Sequence, residues 1–162
     1  MSTMRDIFGK VLEVIEALNA QGVDYVVFGG VAVNLHGLVR ATEDLGLFIR
    51  PDPENIERLK VALRSVWDDP HIDEISSEDL CGDYPVVRYG PPDGEIYIDM
   101  LTRLGEFVTF EKLSWSEIEV EGTRARVATP RTLYELKRNT VRPIDAMDAT
   151  ILEQRFDLDE EE

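Results

Sequence analysis

Two aspartates, Asp44 and Asp99, and one glycine pair, Gly29-Gly30, have the type and setting to do chemistry. Asp99 interrupts an apolar run, Tyr97-Ile-Asp-Met-Leu101, where a carboxylate is costly unless it meets a cation or a hydrogen-bond donor. Asp44 follows Gly30 by fourteen positions and opens a second apolar run, residues 45–49. Alternate residues of a strand share a face, so positions 44 and 46 project together and Asp99, on a neighbouring strand, can meet them. Carboxylates gathered in this way hold Mg²⁺ against a nucleoside triphosphate. Gly29-Gly30 lies between a β-branched run and a short helical stretch, where the lack of Cβ atoms lets a phosphate approach free backbone N–H groups. Taken alone, the pair is better explained as a tight turn needing positive φ; the carboxylates downstream are what favour a phosphate.

The elements that must position these residues follow from periodicity. Ile7, Val11, Val14, Ile15 and Leu18 recur at helical spacing, and Gly22 closes that helix. Residues 23–28 read as a strand, followed by the glycine turn and a short helix over 31–36 closed by Gly37. After the strand at 45–49, Asp52 is placed to cap a helix with Pro53 at its first position, and Ile56, Leu59, Lys60, Leu63, Val66 and Trp67 mark its inner stripe. Residues 68–85 lack either period and read as loop, with a helical turn near 77–80. Two strands, 86–89 and 95–101, flank the turn Gly90-Pro-Pro-Asp-Gly94. Residues 118–127 alternate around Glu121-Gly122 as a hairpin. Its Arg124 and Arg126 share a face, and the nearby Glu117, Glu119 and Glu121 favour cross-strand ion pairs over a phosphate site. Pro130 opens a helix through Leu136, and a last helix over 143–156 packs through Met147, Ile151 and Leu152. The whole is an α/β (α+β) arrangement, a small mixed sheet flanked by helices. We expect one domain over residues 1–156 and a frayed acidic tail over 157–162.

Three segments in order carry a resemblance: Tyr25-Val-Val-Phe-Gly-Gly-Val-Ala-Val-Asn-Leu-His-Gly37, Arg40-Ala-Thr-Glu-Asp-Leu-Gly46 and Ile98-Asp-Met-Leu101. Together with Pro130-Arg-Thr-Leu-Tyr-Glu-Leu-Lys137 and Arg142-Pro-Ile-Asp-Ala-Met-Asp148, the chain resembles the bacterial nucleotidyltransferases found as abortive-infection and toxin proteins, in the DNA polymerase beta-like superfamily. The resemblance spans roughly residues 7 to 156 and implies the nucleotidyltransferase fold. By it, Gly29 and Gly30 face the triphosphate, Asp44 and Asp99 ligate Mg²⁺ or Mn²⁺, Arg40 and Thr42 line the entrance, and Lys137 reaches the phosphates as a point charge. The chain departs from the family at Gly46, where the Asp-hydrophobic-Asp pattern expects a second carboxylate. Neither Glu43, which points to the other strand face, nor the distant Glu95 is a natural replacement. A further departure, Ile144 before Asp145 where a basic residue is frequent, thins a phosphate-binding patch.

The resemblance implies a protein that binds a nucleoside triphosphate with Mg²⁺ and transfers a nucleotidyl group to an acceptor hydroxyl, with activity impaired at Gly46. The acceptor is left open among an RNA end, a protein and a small molecule. The alternatives are an inactive nucleotide-binding or regulatory protein on the same fold, with a partner protein in a toxin system, or an engineered loss of the catalytic aspartate. A formal charge of −16 over 162 residues repels phosphate backbones at long range. At 43% hydrophobic and 31% charged residues the composition is that of a globular chain. It has no apolar run near the ~20 residues of a membrane helix, no secretory pattern and one cysteine, Cys81, so a cytoplasmic location is expected. His36 reads as a structural histidine, His71 as an exposed one, and Trp67 and Trp115 as packing residues.

Overall fold

The computed structural model describes residues 4–36, 44–82, 85–92, 94, 96–104 and 108–138. Helix α1 (Met4–Ala20) buries Val11, Val14, Ile15 and Leu18, the stripe its spacing predicts, and Gly22, at φ 69°, turns the chain out of it. Next come β1 (Tyr25–Phe28), the short helix α2 (Gly29–Leu35) and β2 (Asp44–Ile49). Helix α3 (Pro53–Val66) starts as expected: the Asp52 side chain accepts a hydrogen bond from the Glu54 amide at 3.0 Å, with Pro53 in the first turn.

Residues 68–82 are more ordered than their lack of period predicts. A 3₁₀ turn, Pro70–Glu74, is capped by Asp69, and the single-turn helix α4 (Ser77–Leu80) is capped by Ser76, whose hydroxyl accepts from the Asp79 amide at 3.1 Å. Such caps act through short polar side chains and leave no trace in hydrophobic spacing. Ile72 and Leu80 anchor the segment in the core.

The remaining elements are β3 (Val86–Tyr89), β4 (Tyr97–Leu101), β5 (Arg103–Leu104), β6 (Val108–Thr109), β7 (Trp115–Val120), β8 (Thr123–Ala128) and α5 (Pro130–Arg138). The principal sheet has six strands in the order β3-β4-β2-β1-β8-β7, and β5 with β6 forms a separate two-stranded ribbon. Pairs β2/β4 and β1/β8 are parallel, whereas β1/β2, β3/β4 and β7/β8 are antiparallel, so the sheet is mixed as expected. The β7/β8 hairpin turns on Glu121 and Gly122, both at positive φ, the twist that suits a two-residue loop. Its strand β7 starts at Trp115, ahead of the 118 expected from alternation. Helix α1 packs on α3 and β8, and α2 packs on α5 and β2.

Asn55 ties α3 to the sheet. It is fully buried; its Oδ1 accepts from the Asp24 amide at 2.8 Å, and its Nδ2 donates to the carbonyls of Asp24 and Arg50 at 3.1 and 3.0 Å. Asn55→Ala leaves buried backbone groups unpaired, and we expect a loss of ~3 kcal/mol, read from the urea unfolding midpoint. The last helix over 143–156 and the acidic tail lie outside the described residues.

Candidate active site

Strand register decides which side chains meet. On the parallel pair β2/β4, Asp44 lies opposite Tyr97 and Gly46 opposite Asp99. On the antiparallel pair β3/β4, Arg88 lies opposite Asp99. Residues facing each other across strands project to the same side, so Asp44, Gly46, Arg88, Tyr97 and Asp99 share one face. The convergence of Asp44 and Asp99 expected from alternation is therefore present, in half-exposed positions.

What joins them is an arginine. Arg88 Nε donates to Asp99 Oδ1 and its Nη2 to Asp44 Oδ1, both at 2.9 Å, while the guanidinium carbon stands 4.6 Å from the centre of the Tyr97 ring. The hydrogen bond to Asp99, and then the charges of Asp99 and Asp44, push the Arg88 pKa above its ordinary value. Sequence reading missed Arg88. The signal was available in the hairpin register: pairing 86–89 against 97–101 places residue 88 beside Asp99.

Gly46 is filled from the side. A Cβ there would lie 2.9 Å from Phe28 Cζ and 3.0 Å from both Phe28 Cε1 and the Phe28 carbonyl oxygen, because Phe28 is the cross-strand partner of Gly46. The Phe28 ring is in turn set edge-to-face on Phe48, with centroids 6.2 Å apart. The place of the expected second carboxylate is thus occupied by an aromatic ring.

Gly29-Gly30 directly follows Phe28 and opens α2, next to this face. Gly29 has φ 77°, so the turn itself accounts for a glycine there. Arg40 and Thr42 lie outside the described residues, as do Glu43 and Glu95; Lys137 lies in α5, but its side chain is outside them too.

The structure also sorts the other candidates. His36 is structural, its Nε2 donating to the Ala128 carbonyl at 2.8 Å. His71 is exposed and bonded to Glu74 at 2.5 Å, which raises its pKa. Arg124 reaches Glu117 and Glu119, each at 3.7 Å, as cross-strand pairing predicts. Arg126 instead turns to Asp24 at 3.3 Å and lies over the Tyr25 and Trp115 rings. Its strand also borders β1, and Asp24 immediately precedes that strand. Trp67 is a packing residue against Tyr89, but Trp115 is 44% exposed, with the Arg126 guanidinium 5.4 Å from its ring, so the packing expectation fails there. Burial pushes the Cys81 thiol up, away from nucleophilic use. No described helix is long and apolar enough to cross a membrane.

The donor set suits one hard cation. Asp44 and Asp99 already direct an oxygen each at a single positive group, and Mg²⁺ is commonly held by one or two carboxylates with substrate phosphates completing its shell. Among the described residues no group of three carboxylate, histidine or cysteine side chains is arranged to hold a metal ion.

No protein-family model and no curated protein matches this chain. Solved structures do. The crystal structure of ANT(2")-Ia in complex with adenylyl-2"-tobramycin superposes with a TM-score of 0.56 at 12% identity, over 90% of this chain and 87% of that one. The solution structure of the antibiotic-resistance factor ANT(2'')-Ia gives 0.51 at 13% identity, over 92% and 90%. An antigenic nucleotidyltransferase-like protein from Paracoccidioides brasiliensis gives 0.55 at 18% identity, over 90% and 75%. At such identities the likeness is one of fold, and the chain has the mixed α/β fold of nucleotidyltransferases.

Proposed function

We propose that this chain binds a nucleoside triphosphate on the face carrying Asp44, Asp99 and Arg88 and transfers its nucleotidyl group to an acceptor hydroxyl, slowly because position 46 is glycine. The supporting observation is the convergence of two carboxylates from neighbouring parallel strands on one cation, beside a glycine turn, in a nucleotidyltransferase fold. Asp44 and Asp99 would hold Mg²⁺ or Mn²⁺, which when bound neutralises triphosphate charge. Gly29 and Gly30 leave the backbone open toward the phosphates, and the resemblance adds Lys137 there and Arg40 and Thr42 at the entrance. The acceptor oxygen forms a bond to the α-phosphorus, the α–β bridging P–O bond breaks, and pyrophosphate leaves. With no carboxylate at 46, the hydroxyl proton passes to water rather than to a fixed base, and loss of such a group costs ~10²–10³ in rate.

A charge of −16 weighs against a long nucleic-acid acceptor and favours a small molecule or a protein hydroxyl. We place the reaction in the cytoplasm, where triphosphates are available. A second reading has its own support: Arg88 pairs with both carboxylates and Phe28 fills the space at Gly46, as suits a non-catalytic nucleotide-binding or regulatory protein on the same fold, for which the resemblance alone suggests a partner protein in a toxin system. Incubation with each α-labelled triphosphate, Mg²⁺ or Mn²⁺ and cell extract separates the two. Label joined to an acceptor supports transfer; nucleotide binding without any label transfer supports the second reading.

A further inference from the structure

Arg88 bridges Asp44 and Asp99 as a shared cation would, its two nitrogens engaging one oxygen of each at 2.9 Å. Two carboxylates that face one another need a positive partner, and a divalent cation held by both would compete with the arginine for the same oxygens. The arginine side chain is 53% exposed and hangs from β3, the end strand of the sheet, whereas both carboxylates belong to interior strands. A guanidinium so placed can swing outward without disturbing the core, and its fork matches phosphate as well as carboxylate.

We propose that Arg88 is an exchangeable counter-ion: it neutralises Asp44 and Asp99 in the free protein and trades them for the phosphates of a nucleotide when a divalent cation takes the carboxylates. The inference rests on the nucleotide-binding reading above. It makes metal and nucleotide bind cooperatively, because each removes the obstacle to the other, and the coupling is reciprocal. Metal alone must compete with the arginine; the triphosphate offers the arginine somewhere to go.

Equilibrium dialysis of Mn²⁺ against the full chain, with and without ATP, tests it. The unaltered protein should bind Mn²⁺ weakly alone and about 10-fold more tightly with saturating ATP, an effect of ~1.4 kcal/mol. Arg88→Gln should bind Mn²⁺ alone about 10-fold more tightly than the unaltered protein, with the ATP enhancement reduced to about 3-fold or less. Arg88→Lys, which keeps the charge but not the fork, should fall between them and serves if Arg88→Gln fails to fold by circular dichroism. Equal Mn²⁺ affinity of the unaltered protein and both variants without ATP overturns the exchange while leaving nucleotide binding intact. Mn²⁺ bound by none of them, even with ATP, overturns the nucleotide reading and the exchange together.

Discussion

Asp99→Asn removes nucleotidyl transfer, with label incorporation falling by about 10²-fold or more while the fold survives. Asparagine keeps the size and one oxygen of the side chain but loses the negative charge, and a preorganised electrostatic group in an active site is worth ~10²–10³ in rate. Asp99 is central to the cluster: it pairs across strands with both Gly46 and Arg88, and its Oδ1 accepts from the Arg88 Nε at 2.9 Å. The side chain is half-exposed, so the variant strands no buried charge, and its melting temperature should stay within a few degrees of the unaltered protein. Asp44→Asn should behave alike. Label transfer undiminished by either change would remove these carboxylates from the chemistry and the proposed reaction from this face.

Gly46→Asp alone lowers stability by ~1–3 kcal/mol and restores little activity, because the new Cβ meets the Phe28 ring at 2.9 Å and its carbonyl at 3.0 Å. The backbone at 46 is not at positive φ, so crowding rather than backbone strain is the obstacle. Shortening the neighbour relieves the ring contact. Gly46→Asp combined with Phe28→Leu should recover about half of the lost stability and show transfer above the unaltered protein. The carbonyl contact remains in the double variant, which is why full recovery is not expected. Thermal melts with parallel label assays read both effects; a single Gly46→Asp variant as stable as the parent would show that Phe28 yields freely, and the simple restoration would then stand.

Much of this arrangement was legible before any coordinates. Alternation put Asp44 and position 46 on one face, and the apolar setting of Asp99 marked it as a carboxylate needing a partner; the register bears out that they meet. The cap at Asp52 was legible because Asp-Pro at a helix start has a local cause. What was not legible came from pairings across sequence distance. Arg88 required knowing which residue of 86–89 faces Asp99, and the crowding at Gly46 required knowing that β1 runs antiparallel to β2 with Phe28 opposite. The same cause hid the partner of Arg126: Asp24 is remote in sequence and becomes its neighbour only when β8 settles beside β1.

The six-stranded order gives the charge cluster two unequal supports. The carboxylates ride on β2 and β4, each bonded on both sides, whereas the arginine rides on β3, which is bonded only to β4 within the described sheet and exposes Val86. Opening free energies fall toward sheet margins, so the amides around Arg88 should trade their protons with solvent well before those around Asp44 and Asp99. The negative half of the site is anchored on interior strands, and the positive half is a fringe that can fray without unfolding them.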